Sequence, residues 1–367
     1  HRDLHSFPTR RSSDLPFAEL ESWLGKRTSA YDRFFLAELY RRHGLLEKAD
    51  SIFKALEQHP GEIALQPILL ARVRLYVQKG EPQQAQRLYG QAIESVTDDI
   101  SARFLLNEFF PIANRSEYHL LSQELDPETL RYALRQVWLD RDPAPASAYN
   151  RRLIEHYNRL LYADSYFYYD ELRHRSFRDF NAMQIEYPPW FIINERFCDR
   201  GMVYIRFGKP DEEVRRDISD KNTMSWLYEA NGYRPKMIYH FINARNAPTG
   251  YWVMTTGFHE KTILEDLVHW DRVYQLQAMK DNAQAFEEMQ QNSLQTVDFS
   301  FRNDSHTFSA ETKPLPLAYE WLTFHESDQQ DLLQVAYSLP LAEVLPLLQD
   351  SVRKVEVGLV VLDEGRT

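Results

Sequence analysis

The sequence predicts an α+β, multi-domain chain: N-terminal helical repeats, a central small antiparallel sheet with packed helices, and the start of a C-terminal β-sandwich. Three observations predict it. Residues recur at a spacing of 36 near the N-terminus, short β-prone runs parted by turn residues follow Tyr187-Pro188-Pro189-Trp190, and the last part of the chain alternates apolar with polar positions. A length of 367 residues with 43% hydrophobic content is enough for two or three domains, each with its own core. Twenty-one Tyr, 21 Phe and 7 Trp supply large buried areas, whereas 12 Gly is few for a loop-built or all-β protein, so helix is favoured.

Charge and cysteine content narrow the function classes. The formal net charge of −11 opposes binding to nucleic acid or anionic lipid, and no nucleic-acid partner is expected. Cys198 is the only cysteine, which excludes an intrachain disulfide, a zinc cluster and a CxxC redox pair. No apolar run is long enough to cross a bilayer, so no membrane-spanning segment is expected. No cofactor and no metal site is implied.

Residues 1–15 lack an apolar period and a signal-peptide core. Ser6 to Leu15 resembles the in-frame translation of a sequencing-library adapter, and the segment is expected to lie outside the fold.

Residues 16–125 read as helical repeats. Tyr40 and Tyr76, Gly44 and Gly80, Ala49 and Ala85, and Phe53 with Tyr89 are the recurring pairs. In each unit the glycine ends one amphipathic helix in a tight turn, the alanine permits close helix approach, and the aromatic ring fills the groove. The constellation resembles the tetratricopeptide repeat over roughly residues 30–97, although Pro60 comes one residue early and Arg72-Val73 replaces the usual small pair. The next unit, with Ile112, Ser116, Leu121 and Leu125, lacks the glycine and alanine and reads as a degenerate repeat or cap. Such repeats imply a groove that binds a protein segment, for which Arg41, Arg42 and Arg74 are the candidate lining residues; a plain helical spacer is the alternative.

Residues 126–295 read as a mixed domain. Asp126-Pro127-Glu128 combines an N-cap acceptor, a proline preset for the first turn and a carboxylate at the positive helix end, which predicts a helix to about Leu139. Asp142-Pro143-Ala144-Pro145 then makes an elbow. Ser147 is expected to cap a second helix with Leu153, Tyr157, Leu160, Leu161 and Phe167 on its apolar face. Strands are predicted at Met202 to Phe207, Thr223 to Tyr228, Met237 to Ile242 and Tyr251 to Thr255, with turns at Gly208-Lys209-Pro210-Asp211, Asn231-Gly232 and Pro248-Thr249-Gly250. One long helix is predicted from about Glu260 to Gln291 on the pattern Ile263, Leu267, Trp270 and Tyr274.

The strings Trp138 to Pro145, Glu155-His156-Tyr157, Asp199-Arg200-Gly201-Met202-Val203-Tyr204-Ile205-Arg206-Phe207-Gly208-Lys209-Pro210-Asp211 and Ser225-Trp226-Leu227-Tyr228 resemble, in order and spacing, the bacterial GWxTD domain over roughly residues 126–256. Glu195, Arg196 and Cys198 stand where that family has Gly, Trp and Thr; Asp199 keeps the family residue. The resemblance implies no established activity, and through the export signals common in that family it implies a cell-envelope location. Asp199, Arg200, Gly201, Tyr204, Arg206, Gly208, Pro210, Asp211 and Trp226 are therefore the candidate binding residues of this domain. Their local chemistry reads first as a hairpin: Asp199 accepts backbone N–H groups at a turn, Gly201 takes positive φ, and Tyr204 and Arg206 share one strand face.

The sequence contains no G-x-S-x-G, no phosphate-cradling glycine loop, no G-x-G-x-x-G and no H-E-x-x-H. Asp199, Asp211, Glu212 and Glu213 are the only evident source of an acid/base pair, and surface carboxylates beside Arg215 and Arg216 explain them equally well. Tyr166-Phe167-Tyr168-Tyr169 with Trp190 are suited to stack on sugar rings or to fill a core. Cys198 reads as an inert buried thiol. Residues 310–367, with alternation from Leu332 to Leu339 and at Val355, Val357, Leu359 and Val361, read as the start of a β-sandwich truncated after Lys354–Leu362. The functional expectation is a non-enzymatic protein-binding or assembly protein that docks partners through its repeats; the alternative is a hydrolase of glycan or peptide using the central carboxylates.

Overall fold

A computed structural model describes residues 17–123, 125–145, 147–167, 185–192, 194, 196–217, 221–231, 234–244, 252–279, 282–305, 318–327 and 330–338. The adapter-like segment 1–15, Tyr168, Tyr169, Gly232, the turn 248–250 and the strand expected over 354–362 lie outside the described residues. The chain divides into two compact units, the first ending at His306 and the second beginning at Thr307.

Among the described residues the first unit begins with seven α-helices: α1 (Phe17–Gly25), α2 (Ala30–Arg42), α3 (Leu46–Gln58), α4 (Leu65–Gln78), α5 (Pro82–Glu94), α6 (Asp99–Phe109) and, after a short 3-10 turn, α7 (Arg115–Leu121). The spacing of 36 is visible in the hydrogen bonds. Leu45 N–H donates to Tyr40 O and Glu81 N–H to Tyr76 O, both at 2.9 Å, and Gly44 and Gly80 sit at φ 75° and 73° in these turns. This is the left-handed helix stop that glycine alone adopts without strain. Ala49 and Ala85 are wholly buried, as is Phe53, with Tyr89 nearly so. The period then fails, because Ser116 falls inside α7; the turn has moved forward to Ala113 and Asn114, where Asn114 and Glu117 form a capping box.

Two helices follow, α8 (Pro127–Leu139) and α9 (Arg151–Tyr166). Asp126 caps α8 as expected, accepting from Glu128 N–H and Thr129 N–H at 3.0 Å each. The cap of α9 is Asn150 and not Ser147: Asn150 Oδ1 accepts from Leu153 N–H at 2.8 Å, while Ser147 Oγ donates to Tyr149 O. After the short α10 (Pro189–Ile192) comes α11 (Asp199–Phe207), where a strand had been expected. Val203, Tyr204 and Ile205 all favour strand, but that preference is small in energy and context-dependent, and burial against neighbouring elements overrides it.

A four-stranded antiparallel sheet in sequence order follows: β1 (Glu212–Asp217), β2 (Lys221–Tyr228), β3 (Met237–Ala244) and β4 (Val253–Thr255). Sequence patterning missed β1, whose residues Glu212-Glu213-Val214-Arg215-Arg216-Asp217 hold one apolar side chain. Such charge is how sheet edges avoid unwanted pairing. The long helix expected from Glu260 is instead α12 (Lys261–Leu267), α13 (Arg272–Met279) and α14 (Ala283–Arg302). Their apolar stripe continues across the breaks, but Asp271 Oδ1 accepts from Val273 N–H and Asn282 Oδ1 from Gln284 N–H, both at 3.0 Å, and each restarts a helix.

Strands β2 to β4 are buried on both faces of the sheet, whereas β1 is largely exposed. Met224, Trp226, Tyr228, Tyr239, Phe241 and Met254 join the principal core, which is continuous from Ala37 in α2 to Val297 in α14. Leu227, Ile242 and Val253 on the other face meet Ile263, Leu267 and Tyr274 in a second core. The second unit contains a hairpin of β5 (Ala318–Ser327) and β6 (Gln330–Ser338), with Tyr319 opposite Tyr337 and Trp321 opposite Val335. The strand expected from Leu332 corresponds to β6; β5 was not foreseen.

Candidate binding site

The segment from Cys198 to Asp211 is the helix α11 with its stop at Gly208 and a turn that leads into the sheet. Asp199, 1% exposed, accepts at Oδ2 from Met254 N–H at 2.9 Å and Tyr187 O–H at 3.0 Å, while its own N–H donates to Trp252 O. Its carboxylate therefore covers the β4 edge and does not sit in a hairpin turn. Gly201 is also corrected: its φ is not positive. A Cβ there would lie 2.9 Å from Phe167 Cβ and 3.0 Å from Phe197 Cβ, so glycine serves close packing. Arg200 lies over the rings of Trp252 and Phe167 at 4.2 and 5.3 Å.

Tyr204 and Arg206 diverge on the helix instead of sharing a strand face. Arg206 is buried and donates to the carbonyls of Ile112, Ala113 and Asn303. Burial depresses its guanidinium to about 10, opposed by Asp304. Tyr204 stacks on Tyr162 of α9, with centroids 4.5 Å apart and planes 14° from parallel. Gly208, at φ 78°, ends α11 by donating its N–H to Tyr204 O, and its carbonyl accepts from Tyr228 O–H at 2.8 Å. After Pro210, Asp211 N–H donates to Leu227 O, and Asp211 Oδ2 accepts from Glu229 N–H at 2.7 Å and Arg234 at 2.9 Å.

These elements enclose an open cleft of about 290 Å³. Its aromatic wall is Tyr162, Phe167, Tyr204 and Trp226, and its polar wall is Lys209, Asp211 and Glu213, with Pro210 between. Glu213 Oε2 accepts from Trp226 Nε1 at 2.7 Å, which fixes the carboxylate at the rim. Four of the nine central candidates, Tyr204, Pro210, Asp211 and Trp226, thus meet in one place; Asp199, Arg200, Gly201, Arg206 and Gly208 position it from behind. Glu213 had been grouped with Asp211 as a candidate carboxylate, whereas nothing in the sequence brought in Tyr162, because the meeting of α9 with this turn is a tertiary fact.

The other carboxylates do not gather there. Glu212 points to the opposite face, accepting from Trp270 Nε1 at 2.7 Å and lying 3.1 Å from His269. A serine–histidine pair does exist: Ser225 Oγ is 2.8 Å from His240 Nδ1, whose Nε2 is 2.9 Å from Tyr274 Oη. All three are buried, and burial lowers the imidazole to about 3, so the chain is a neutral polar network inside the second core. Cys198 is buried. Among the described residues no cluster of His, Cys, Asp or Glu is arranged to hold a metal ion, and no helix is long and apolar enough to cross a membrane.

In the repeats, Arg41 is buried and forks onto Glu38 at 2.8 Å, with a third bond to Gln78 at 2.9 Å. Burial alone would raise Glu38, but the Arg41 guanidinium holds it at about 2. Arg74 pairs with Glu108, which also accepts from Tyr157 O–H at 2.6 Å, while His156 Nε2 lies 2.8 Å from Glu108 O. Arg42 is half exposed, 4.0 Å from Glu38. The face of α4 that carries Arg74 is therefore covered by α9 of the same chain. A second open groove, about 450 Å³, lies between α3 and α5 and is lined by Lys54, Glu57, Gln58, Arg72, Arg87, Leu88 and Gln91.

No family model, curated protein or solved structure gives a significant match to the chain. Fold and site together define a mixed α+β protein with a helical N-terminal region and an aromatic, carboxylate-rimmed cleft at one sheet edge.

Proposed function

We propose that the chain is a non-enzymatic protein-binding or assembly protein that docks partners through its helical repeats. In this reading α2 with α3 and α4 with α5 are two tetratricopeptide-like repeats, residues 126–256 form a GWxTD-like domain, and residues from about 310 begin a sandwich. The export signals common in the GWxTD family favour a bacterial cell envelope. The observation that carries the reading is the groove between α3 and α5, which crosses both repeats while the α4 face is occupied by α9.

The groove places Lys54, Arg72 and Arg87 together in a chain of net charge −11. Arg72 is held by Glu57 and Asp50, and Lys54 by Asp50 at 2.7 Å; Arg87 has no ion-pair partner among the described residues. Cations flanked by the Gln58 and Gln91 amides suit an acidic stretch of a partner. An array of acidic and basic peptides tests this. Acidic peptides should bind the wild type, and Arg87→Glu should weaken them tenfold or more without lowering the melting temperature. Equal binding by both proteins would refute the groove. Turnover in a broad glycan and peptide hydrolase screen, lost in a stable Asp211→Asn protein, would establish the hydrolase reading instead.

A further inference from the structure

The two edges of the four-stranded sheet are finished differently. At β4 the edge is occupied, because Met254 N–H donates to Asp199 Oδ2. At the other edge β1 is bonded to β2 alone, and every residue from Glu212 to Asp217 except Val214 is exposed. An open strand edge is a template for another strand, and charge along it rejects most of them. The order of the charges on β1 admits one.

The strand reads Glu212-Glu213-Val214-Arg215-Arg216-Asp217, with two acids and two bases placed symmetrically about Val214. Its odd-numbered side chains share the face of the principal core, where Glu213 stands opposite Trp226 and accepts from its Nε1. The even-numbered ones share the face of the second core: Glu212 meets Trp270, Val214 packs on that core, and Arg216 pairs with Asp266 of α12. A second copy that adds its own β1 antiparallel, about a two-fold axis, keeps both faces continuous only if opposed residues are both odd or both even. Centring the pair on Glu213 would oppose two glutamates, and centring it on Arg215 two arginines. Centring it on Val214 opposes Glu213 of each copy to Arg215 of the other, and Glu212 to Arg216, with valine against valine between them. A parallel, in-register pair would set like charge against like throughout.

Both glutamates are ordered in advance, since Trp226 and Trp270 each donate an indole N–H at 2.7 Å to one of their oxygens. Glu213 has no salt-bridge partner among the described residues, and Arg215 has exposed Asp217 at 3.3 Å. At the ends of this register Asp217 of one copy faces Asp211 of the other, which Arg234 already neutralises.

We propose that the chain forms a two-fold dimer in which two β1 edges pair antiparallel about Val214 and join the two four-stranded sheets into one. The dimer is independent of the acidic-peptide groove, but it would carry two such grooves and hold a partner with two acidic stretches more tightly than a monomer can.

Sedimentation velocity of the whole chain over a range of concentrations tests the pairing. A monomer–dimer equilibrium is expected, weakened tenfold or more by Arg215→Glu, which opposes glutamate to glutamate, and left unchanged by Arg87→Glu in the groove. Glu213→Arg should also be monomeric alone, whereas an equimolar mixture of Glu213→Arg and Arg215→Glu should recover the dimer, because every arginine again meets a glutamate. Should Glu213→Arg fail to fold for want of the Trp226 bond, Val214→Cys replaces it. The register puts its two introduced thiols together, so diamide should link the chains in pairs, while the wild type, whose only cysteine is buried, stays unlinked. The proposal is overturned by a wild type that remains monomeric, by association that Arg215→Glu does not weaken or that Arg87→Glu weakens as much, or by a mixture or a diamide-treated Val214→Cys protein that stays monomeric.

Discussion

Gly201 and Gly208 sit seven residues apart and are required for different reasons, which mutation can separate. At Gly201 the obstacle is side-chain crowding by Phe167 and Phe197, so Gly201→Ala should destabilise by about 1–3 kcal/mol through overpacking. The crowding atoms are Cβ carbons that cannot be trimmed short of glycine, so the loss should grow with side-chain size and Gly201→Val should cost clearly more than Gly201→Ala in chemical denaturation. At Gly208 the obstacle is φ, so Gly208→Ala should already carry most of the loss. His240 provides the pH test at this scale. Burial lowers its folded-state value to about 3, below the unfolded histidine near 6.5, so the unfolded chain takes up the proton first as pH falls. Its contribution is complete above pH ~6.5 and is lost progressively toward about 3, at a slope of about 1.4 kcal/mol per pH unit. Buried His156, lowered chiefly by desolvation and also by Arg152, acts in the same direction. Urea titrations between pH 7 and 5 should show His240→Gln with a shallower pH dependence than wild type; an unchanged slope would show that His240 is not the titrating group.

At the scale of elements, the repeated turn makes a paired prediction. Gly44 and Gly80 have matching φ, matching hydrogen bonds and open space where a Cβ would stand. Gly44→Ala and Gly80→Ala should therefore each cost about 1–2 kcal/mol, from backbone strain alone. A large difference in their melting temperatures would mean that the two turns are not equivalent. The end of α14 is held more firmly than its position suggests. Asp304 binds Arg152 at 2.6 Å and Arg141 at 3.1 Å, and Arg141 also grips Glu117 at 2.6 Å. Burial would raise the Asp304 carboxyl, yet Arg152, Arg141 and Arg206 hold it well below the usual carboxylate range. Asp304→Ala leaves buried guanidinium charge without its anion and should cost about 3–5 kcal/mol, readable in urea unfolding.

For the whole molecule, the same cluster decides where the first unit can be cut. Asp304 and Ser305 connect the end of α14 to α9, α11 and the turn after α8, since Asp304 pairs with Arg152 and Arg141 and Ser305 N–H also donates to Arg206 O at 3.1 Å. A chain ending at Ser305 should melt at a clearly higher temperature than one ending at Arg302. Equal melting temperatures would show that the arginine cluster is satisfied without them. The β1 edge is charged, and the groove across the repeats keeps Arg87 beyond the Lys54 and Arg72 pairs with Asp50 and Glu57, so acidic-peptide binding should weaken as ionic strength rises.

What the sequence by itself determined is whatever is carried by local periodicity and capping chemistry. The helix stops at Gly44 and Gly80, the cap at Asp126, the strands β2 and β3, and the mixed α+β character were all legible, because each rests on residues close in the chain. The cap of α9 and the breaks at Asp271 and Asn282 were misread where several side chains could serve and only packing chose among them. The largest reversal was α11. Its β-branched and aromatic residues read as strand, whereas the close approach of Phe167 and Phe197 to Gly201, and the bond from Asp199 to the β4 edge, are available only to a helix lying between α9 and the sheet. Part of the cleft was legible, since Tyr204, Pro210, Asp211 and Glu213 lie close in the chain and Trp226 was a candidate beside them; the aromatic wall from Tyr162 and Phe167 was decided by tertiary structure, which brings the end of α9 against that turn.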